Sequence, residues 1–240
     1  MRMATINLLY KHEYAINDKI KILIPTIGEI LDKEDEYYSL VSLLTAMPID
    51  LMAQLDDIGI DFTQINEYEL FLILFEGIKS QDASLIFGNL DLTKFERAIN
   101  EQNETIVYVD KENDIVIDRA IHGRIAAVLR KIHHLERNHR KPANDEVKKY
   151  LLERERVKLK RRKNKSTQSQ LEPLIIAMVN AAEYKYDFEE TRNLTIYQFN
   201  ESVRQVIHKV DYNNRMIGVY TGNINAKELS QDDLNWLNTK

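Results

Sequence analysis

The chain has 240 residues, of which 44% are hydrophobic and 30% charged, and its formal net charge is −5. This balance is typical of a folded protein with a sizeable core and excludes a disordered chain. The absence of cysteine excludes disulfides, thiolate zinc sites and thiol nucleophiles. No apolar run reaches the roughly 20 residues of a membrane helix, and the first residues lack the apolar core of a signal peptide, so we expect a cytoplasmic protein.

Glycine and proline are scarce, with seven and four residues respectively. Because all-β folds need many turns, this scarcity favours helices. We therefore predict a mainly α protein. It comprises a multi-helix body, a long basic helix and a small β element, which consists of an N-terminal strand and a hairpin near 104–118.

Alternation, capping residues and proline predict the first elements. Residues 19–25 alternate like a half-buried strand that ends at a proline. Thr26 followed by Glu29 is the pattern of a capping box, which predicts a short helix. A helical pattern over 35–55 is interrupted at Pro48, so we expect two helices that meet there.

The next region contains the most apolar stretch of the chain. Asn66 is the predicted start of a helix through residue 75, whose hydrophobic residues surround most of its circumference, as in a central core helix. Asp91 is the predicted cap of a short helix through residue 100. Four phenylalanines, expected in the core, are also candidates for an apolar groove: Phe71, Phe75, Phe87 and Phe95.

The second half reads as helices with polar connections. A helix with one apolar face is predicted over 118–136, and Asn144 or Asp145 begins a long helix to about Lys163. A polar linker is predicted over 163–170, followed by a helix over 171–184 and a loop or turn over 187–191. Thr195 is the predicted cap of a helix over 196–210, and a short tail helix is predicted over 225–236.

Charge is distributed unevenly along the chain. Residues 130–165 contain 15 Lys and Arg against 5 Asp and Glu, a balance of +10, so the rest carries −15. We therefore divide the protein into an N-terminal acidic helical domain with a β-hairpin at 1–136, a basic helix and linker at 137–170, and a C-terminal helical region at 171–240.

No pattern indicates a catalytic, cofactor-binding or metal site. The histidines between 122 and 139 do not have a spacing that brings three or four metal ligands together. Neither a nucleophile elbow nor a glycine-rich phosphate loop is present. Carboxylate pairs at predicted helix ends are explained by capping and the helix dipole: Asp56-Asp57, Glu189-Glu190 and Asp232-Asp233. We predict a protein that is not an enzyme and needs no cofactor.

The basic run near the end of the long helix is the strongest chemical signal in the sequence. Clustered cations bind nucleic-acid phosphates, but they also bind an acidic protein surface, the acidic body of the same chain, or only water at a helix tip. The sequence leaves these four alternatives open. The predicted contact residues for a partner or nucleic acid are Arg154, Arg156, Lys158, Lys160, Arg161, Arg162, Lys163 and Lys165.

Several longer sequence segments resemble those of a protein family encoded in the tail gene modules of phages that infect Gram-positive bacteria. The resemblance covers most of the chain. It consists of segments that form structural elements and contains no active-site signature. It is carried by residues 21–30 (KILIPTIGEI), 37–48 (YYSLVSLLTAMP), 59–62 (GIDF), 68–71 (YELF), 194–202 (LTIYQFNES), 218–222 (GVYTG) and 234–236 (LNW).

The resemblance implies a non-enzymatic bacteriophage tail or baseplate protein, either structural or an assembly chaperone, that acts through protein–protein contacts. Its expected partners are phage tail or baseplate proteins, including tape-measure or hub proteins, and no membrane. Its expected location is the host cytoplasm during assembly, or the tail of the virion. The alternative is a nucleic-acid-binding accessory protein that uses the basic helix at 154–165. Oligomerisation stays open.

Overall fold

The structure, a computed structural model, describes residues 7–100, 104–163 and 169–237, with the backbone alone at 162 and 163. The described helices are α1 Ile27–Leu31, α2 Glu34–Thr45, α3 Met52–Asp57, α4 Glu67–Ile78, α5 Ser84–Phe87, α6 Arg119–His133, α7 Asp145–Lys163, α8 Leu171–Val179, α9 Phe188–Asn193 and α10 Ile196–Tyr220. The described strands are β1 Glu13–Ala15, β2 Lys21–Leu23, β3 Glu96–Asn100, β4 Thr105–Asp110 and β5 Ile115–Ile117. The prediction of a mainly α protein with small β elements is confirmed.

Capping side chains begin the early helices where the sequence predicts them. At α1, Thr26 Oγ1 accepts a hydrogen bond from the Glu29 amide at 3.3 Å, and the Glu29 carboxylate accepts one from the Thr26 amide at 2.7 Å. Asn66 and Glu69 form the same reciprocal pair at the start of α4. These bonds satisfy amides that lack a partner within the helix, so both predicted starts are confirmed.

The predicted break at Pro48 is also confirmed. Helix α2 ends at Thr45, and Pro48 is the first residue of a short 3-10 helix, Pro48–Leu51, that leads directly into α3. Proline suits that position because it has no amide hydrogen to offer a preceding turn. Two further 3-10 helices in the described chain are Leu92–Lys94 and Ala226–Glu228.

Helix α4 lies in the centre of the main core, as predicted. Phe75 packs against Tyr108 of β4 with ring centroids 3.9 Å apart, and against Phe71 at 5.1 Å. The four phenylalanines that the sequence offered for a groove are at most 3% exposed and belong to the main core: Phe71, Phe75, Phe87 and Phe95.

The β elements exceed the prediction. The predicted N-terminal strand is β2, and its partner β1 was not predicted. The predicted hairpin is β4–β5, but β3 adds a third antiparallel strand, with Ala98 opposite Val107. The helix predicted over 91–100 is therefore wrong beyond the Leu92–Lys94 turn. The hydrogen bonds from β3 to β4 cannot be predicted from the local sequence of β3, and they override its helical pattern.

Two predictions in the C-terminal part need correction. Residues 187–191 are not a loop, because Asp187 and Glu190 form a capping box that starts α9. Helix α10 does begin after its cap Thr195, but it continues to Tyr220 instead of ending near residue 210. The asparagines at 213 and 214 lie inside this helix and are exposed.

The main core contains side chains from Leu8 through Phe199 and so includes residues on both sides of 171. The chain start and α10 are also joined by backbone hydrogen bonds from the Ile196 amide to the Pro25 carbonyl at 2.8 Å and from the Ile27 amide to the Leu194 carbonyl at 2.9 Å. The division at 136 and 170 stays a prediction. A second, smaller core lies between α3, α4 and α7.

Candidate functional site

The predicted basic helix packs along the acidic body through one of its faces. Leu152 of α7 is 7% exposed and belongs to the smaller core with Leu55 of α3 and Phe62. Lys148 Nζ lies 2.7 Å from the Asp61 carboxylate, and this hydrogen bond lowers the pKa of Asp61 to about 2. The intramolecular alternative raised by the charge asymmetry therefore applies to this face of the helix.

Arg156, one of the predicted contact residues, is part of this internal interface. Its guanidinium donates to Asp56 at 2.6 Å and to Asp57 at 2.9 Å. These bonds raise the pKa of Arg156, with the hydrogen bond to Asp57 the largest cause. A residue in this arrangement holds α7 against α3, so it is not available to an outside partner without breaking both contacts.

A second set of predicted residues faces outward. Arg154, Lys158 and Arg161 are exposed and lie at positions i, i+4 and i+7, which places them on one stripe of the helix. Lys160 is exposed beside them, and Lys158 Nζ lies 2.9 Å from Glu155. The remaining predicted residues lie outside the described side chains: Arg162, Lys163 and Lys165.

A basic cleft that the sequence did not reveal lies next to this stripe. It has a volume of about 450 Å³ and is formed beneath the segment 137–141. Arg119 at the first turn of α6 forms one wall, and Arg137, Arg140 and Lys141 form the other. Arg119 is distant from 137–141 in sequence, so a scan for local charge runs missed the cleft; only its second wall lies in the basic stretch.

Glu67, which lines the cleft, belongs to a buried ion pair. Arg130 Nη1 of α6 lies 2.8 Å from Glu67 Oε1 of α4, and the Arg130 side chain is 6% exposed. Arg130 also donates to the Thr45 carbonyl at 2.5 Å, and Arg137 Nη2 lies 3.7 Å from the second Glu67 oxygen. Glu67 therefore already compensates cations of the body. Among the residues lining the cleft it is the one carboxylate, against four Arg and Lys side chains.

Two histidines of α6, His122 and His133, are structural. His122 stacks on Phe71 with centroids 4.2 Å apart, and burial lowers its pKa to about 4. The Tyr37 hydroxyl lies 3.0 Å from His133 Nε2, and burial lowers the pKa of His133 to about 4 as well. Both rings are therefore neutral near pH 7. In the described part of the chain, no three His, Asp or Glu side chains converge as metal ligands.

The C-terminal helix presents a different surface. Its first turns are in the core, where Ile196 and Phe199 are fully buried. Beyond residue 206 it carries exposed apolar side chains on one side, with exposed fractions of 61% for Ile207, 39% for Val210 and 60% for Ile217, and Tyr220 near its end is 81% exposed.

The chain end covers another side of α10. The Trp236 ring lies under Lys209 Nζ at 5.3 Å, and Gln205 Nε2 donates to the Trp236 carbonyl at 3.1 Å. Arg215 is paired with Asp233, which in turn accepts hydrogen bonds from Ser230. The tail thus docks on α10 and leaves the side with Ile207 and Ile217 uncovered by any described residue.

Comparison with known proteins bears on this C-terminal part. Residues 162–239 match the family model described as the YomV second domain, and YomV is a Bacillus phage-associated protein. This third of the chain is similar to a phage-related family. The match includes all of α8, α9 and α10. No curated protein and no solved structure matches the chain. No helix within the described ranges has the length and apolar character needed to span a membrane.

Proposed function

We propose that this protein is a non-enzymatic phage tail or baseplate protein, structural or acting in assembly, that works through protein–protein contacts. Three features support this function: the phage-related similarity of residues 162–239, the resemblance of the wider sequence to tail-module proteins, and the absence of converging metal ligands among the described residues. The uncovered apolar side of α10 is the observation that carries the proposal.

The spacing of this apolar side fits a helical partner. Val203, Ile207, Val210 and Ile217 fall on the alternating 4–3 spacing of a heptad seam, with Asn214 at the intervening position. Such a seam packs against a second helix with similarly spaced apolar residues. Helix α10 spans 25 residues, or about 38 Å, which is long enough for several layers of contact beyond its anchored first turns.

We therefore expect the partner to contribute an apolar helix from a phage tail protein, such as the tape-measure or hub protein. Covering an exposed isoleucine removes apolar area that contributes about 25 cal/mol for each Å² buried. The gain requires no rearrangement of the core, because Ile207, Val210 and Ile217 are already exposed.

Co-purification from phage-infected cells tests the proposal. The tagged protein is expected to retain phage tail proteins, and Ile217→Glu is expected to lose them, because a carboxylate cannot enter an apolar helical seam without a large desolvation cost. Gln54→Glu is the control, since Gln54 is exposed on a different helix, α3, and also acquires one negative charge. Free protein without any phage partner, or equal capture by both variants, contradicts the proposal.

The outward stripe of α7 supports a second candidate, a nucleic-acid-binding accessory protein. Arg154, Lys158 and Arg161 repeat about once per helical turn on an exposed face, as cations do where they neutralise successive phosphates. Titration of the full chain with DNA across a salt series tests this function. An affinity that shows no dependence on salt eliminates it.

A further inference from the structure

The basic cleft and the outward stripe of α7 form one track. A second cleft, between the 3-10 helix Pro48–Leu51 and α7, contains Arg154 and Lys158 together with the carboxylates of Asp50 and Glu155. It shares Ile49, Asn138, Arg140 and Lys141 with the cleft beneath 137–141. The cations of α6, of the segment 137–141 and of α7 are therefore connected along a continuous surface, although they come from separate parts of the sequence.

The cations of the cleft wall are available to a ligand. Arg119, Arg140 and Lys141 are exposed, and their side chains make no hydrogen bond or ion pair within the described part of the chain. Glu67, the carboxylate that lines the cleft, is already paired with Arg130 in the buried ion pair. Uncompensated cations in a concave site attract anions more strongly than the same charges on a convex surface, because the low-dielectric walls focus their field.

The spacing of the cations favours a phosphodiester chain over an acidic peptide. Three of the four cations of the cleft are arginines, whose planar guanidinium groups bind phosphate or carboxylate oxygens in pairs, so the type of cation alone does not select the ligand. A linear track that continues through Arg154 and Lys158 suits a chain of regularly spaced charges. A nucleic-acid backbone has that spacing, whereas an acidic peptide must place its carboxylates by sequence.

The shape of the cleft favours a single strand over a duplex. A space of about 450 Å³ can hold part of one extended nucleic-acid strand, whereas a double helix is too wide to enter it. Met47, Ile49 and Ile65 are partly exposed on the floor and give the bases an apolar contact. Phe62 and Tyr68 also line the cleft but are buried, so aromatic stacking does not contribute.

We propose that the cleft between Arg119 and the segment 137–141 binds the phosphodiester backbone of single-stranded nucleic acid, which then continues along the outward stripe of α7. The inference names a ligand and a site that the tail-protein proposal does not require. It extends the second candidate function to residues outside the basic helix.

The test is fluorescence anisotropy of the full chain with a labelled oligo-dT strand, a hairpin duplex and a poly-glutamate peptide over a salt series. The wild-type protein is expected to prefer oligo-dT, with a log–log salt slope of about −0.7 for each phosphate contacted. Arg140→Gln combined with Lys141→Gln is expected to reduce the slope by about 1.4, and Arg119→Gln alone by about 0.7.

Lys185→Gln combined with Lys227→Gln is the matched control, because both lysines are exposed and line neither cleft. Melting temperatures of all variants show whether the fold is intact. A salt slope that cleft variants leave unchanged while Arg154→Gln and Lys158→Gln reduce it overturns the cleft site and leaves the second candidate standing. Equal binding of the duplex, or tighter binding of poly-glutamate, also overturns the inference.

Discussion

Helices α6 and α10 each carry an apolar stripe, but the stripes have different surroundings. In α6, Ile125, Val128, Leu129 and Ile132 are at most 2% exposed and belong to the main core. In α10 the buried residues are confined to the first turns, and the stripe beyond them faces outward. The two helices meet where the Asn200 side chain donates to the Ile132 carbonyl at 3.0 Å.

The difference shows that an apolar stripe has two uses in one protein. In α6 the stripe stabilises the fold, because neighbouring helices remove its apolar surface from water. In α10 the same pattern continues past the body, so its apolar side chains contribute little to stability and remain available to a partner. Stability and binding measurements should therefore separate the two helices.

Truncation of the buried stripe should give the largest effect. Leu129→Ala in α6 is expected to lower the free energy of unfolding by about 2–5 kcal/mol, because it removes contacts and leaves a cavity. Ile217→Ala in α10 is the matched change at an exposed position and is expected to alter it by less than about 0.5 kcal/mol. Urea denaturation measures both; similar losses would contradict the contrast.

Acid should destabilise α6 next. Burial holds the pKa of His122 and His133 at about 4, below the value of about 6.5 in an unfolded chain. The unfolded state therefore binds more protons below pH 6.5, and stability falls as the pH drops from about 6.5 towards 4. At pH 5 the expected loss is about 2 kcal/mol for each histidine.

Urea denaturation at pH 7 and pH 5 measures this loss, and NMR titration follows the two rings directly. In His133→Gln the difference in stability between the two pH values should shrink by about 2 kcal/mol, because one of the two titrating groups is gone. Protonation of either ring in the folded state near pH 6 would be inconsistent with the buried environment.

Removal of a helix cap should sharpen the contrast within α10 itself. Thr195, which is 2% exposed, caps the anchored start of the helix by accepting from the Gln198 amide at 3.2 Å. Thr195→Ala is expected to cost about 1 kcal/mol. Thr221→Ala, at the far end where the hydroxyl donates to the Ile217 carbonyl, should leave thermal unfolding unchanged. A comparable loss at both ends would show that the whole helix is held by the body.

The smallest effect is expected from Arg156→Ala. This side chain binds Asp56 and Asp57, but the three side chains are substantially exposed, so water and salt screen the attraction. The change in melting temperature should be smaller than that of Thr195→Ala and should vanish in 1 M NaCl. A large, salt-independent loss would mean that Arg156 acts through packing instead of charge.

Local signals predicted much of the fold. The cap residues Thr26 and Asn66 mark real helix starts, because the bonds that satisfy the first amides come from residues within the same turn, and the proline at 48 marks the break after α2. Strand β3 was missed because its hydrogen bonds come from β4, and nothing in residues 96–100 themselves specifies that partner.

The candidate site was predicted less completely. The basic run was visible as a charge count, yet Arg156 lies on the face of α7 that binds the body while Arg154, Lys158 and Arg161 face outward. That distinction depends on which side of the helix meets α3. The cleft also depends on the fold, because Arg119, at the start of α6, meets residues 137–141 only where the chain beyond the end of α6 folds back.

The amino-acid sequence alone determined where helices start, that the protein is mainly helical, and that a basic segment accompanies an acidic remainder. These properties depend on neighbours within a turn or two and on composition. The tertiary structure decided which apolar stripe is covered, which cations are neutralised and which surround a cleft. Burial and pairing depend on residues that are distant in the chain, and their free energy is gained only when those residues meet.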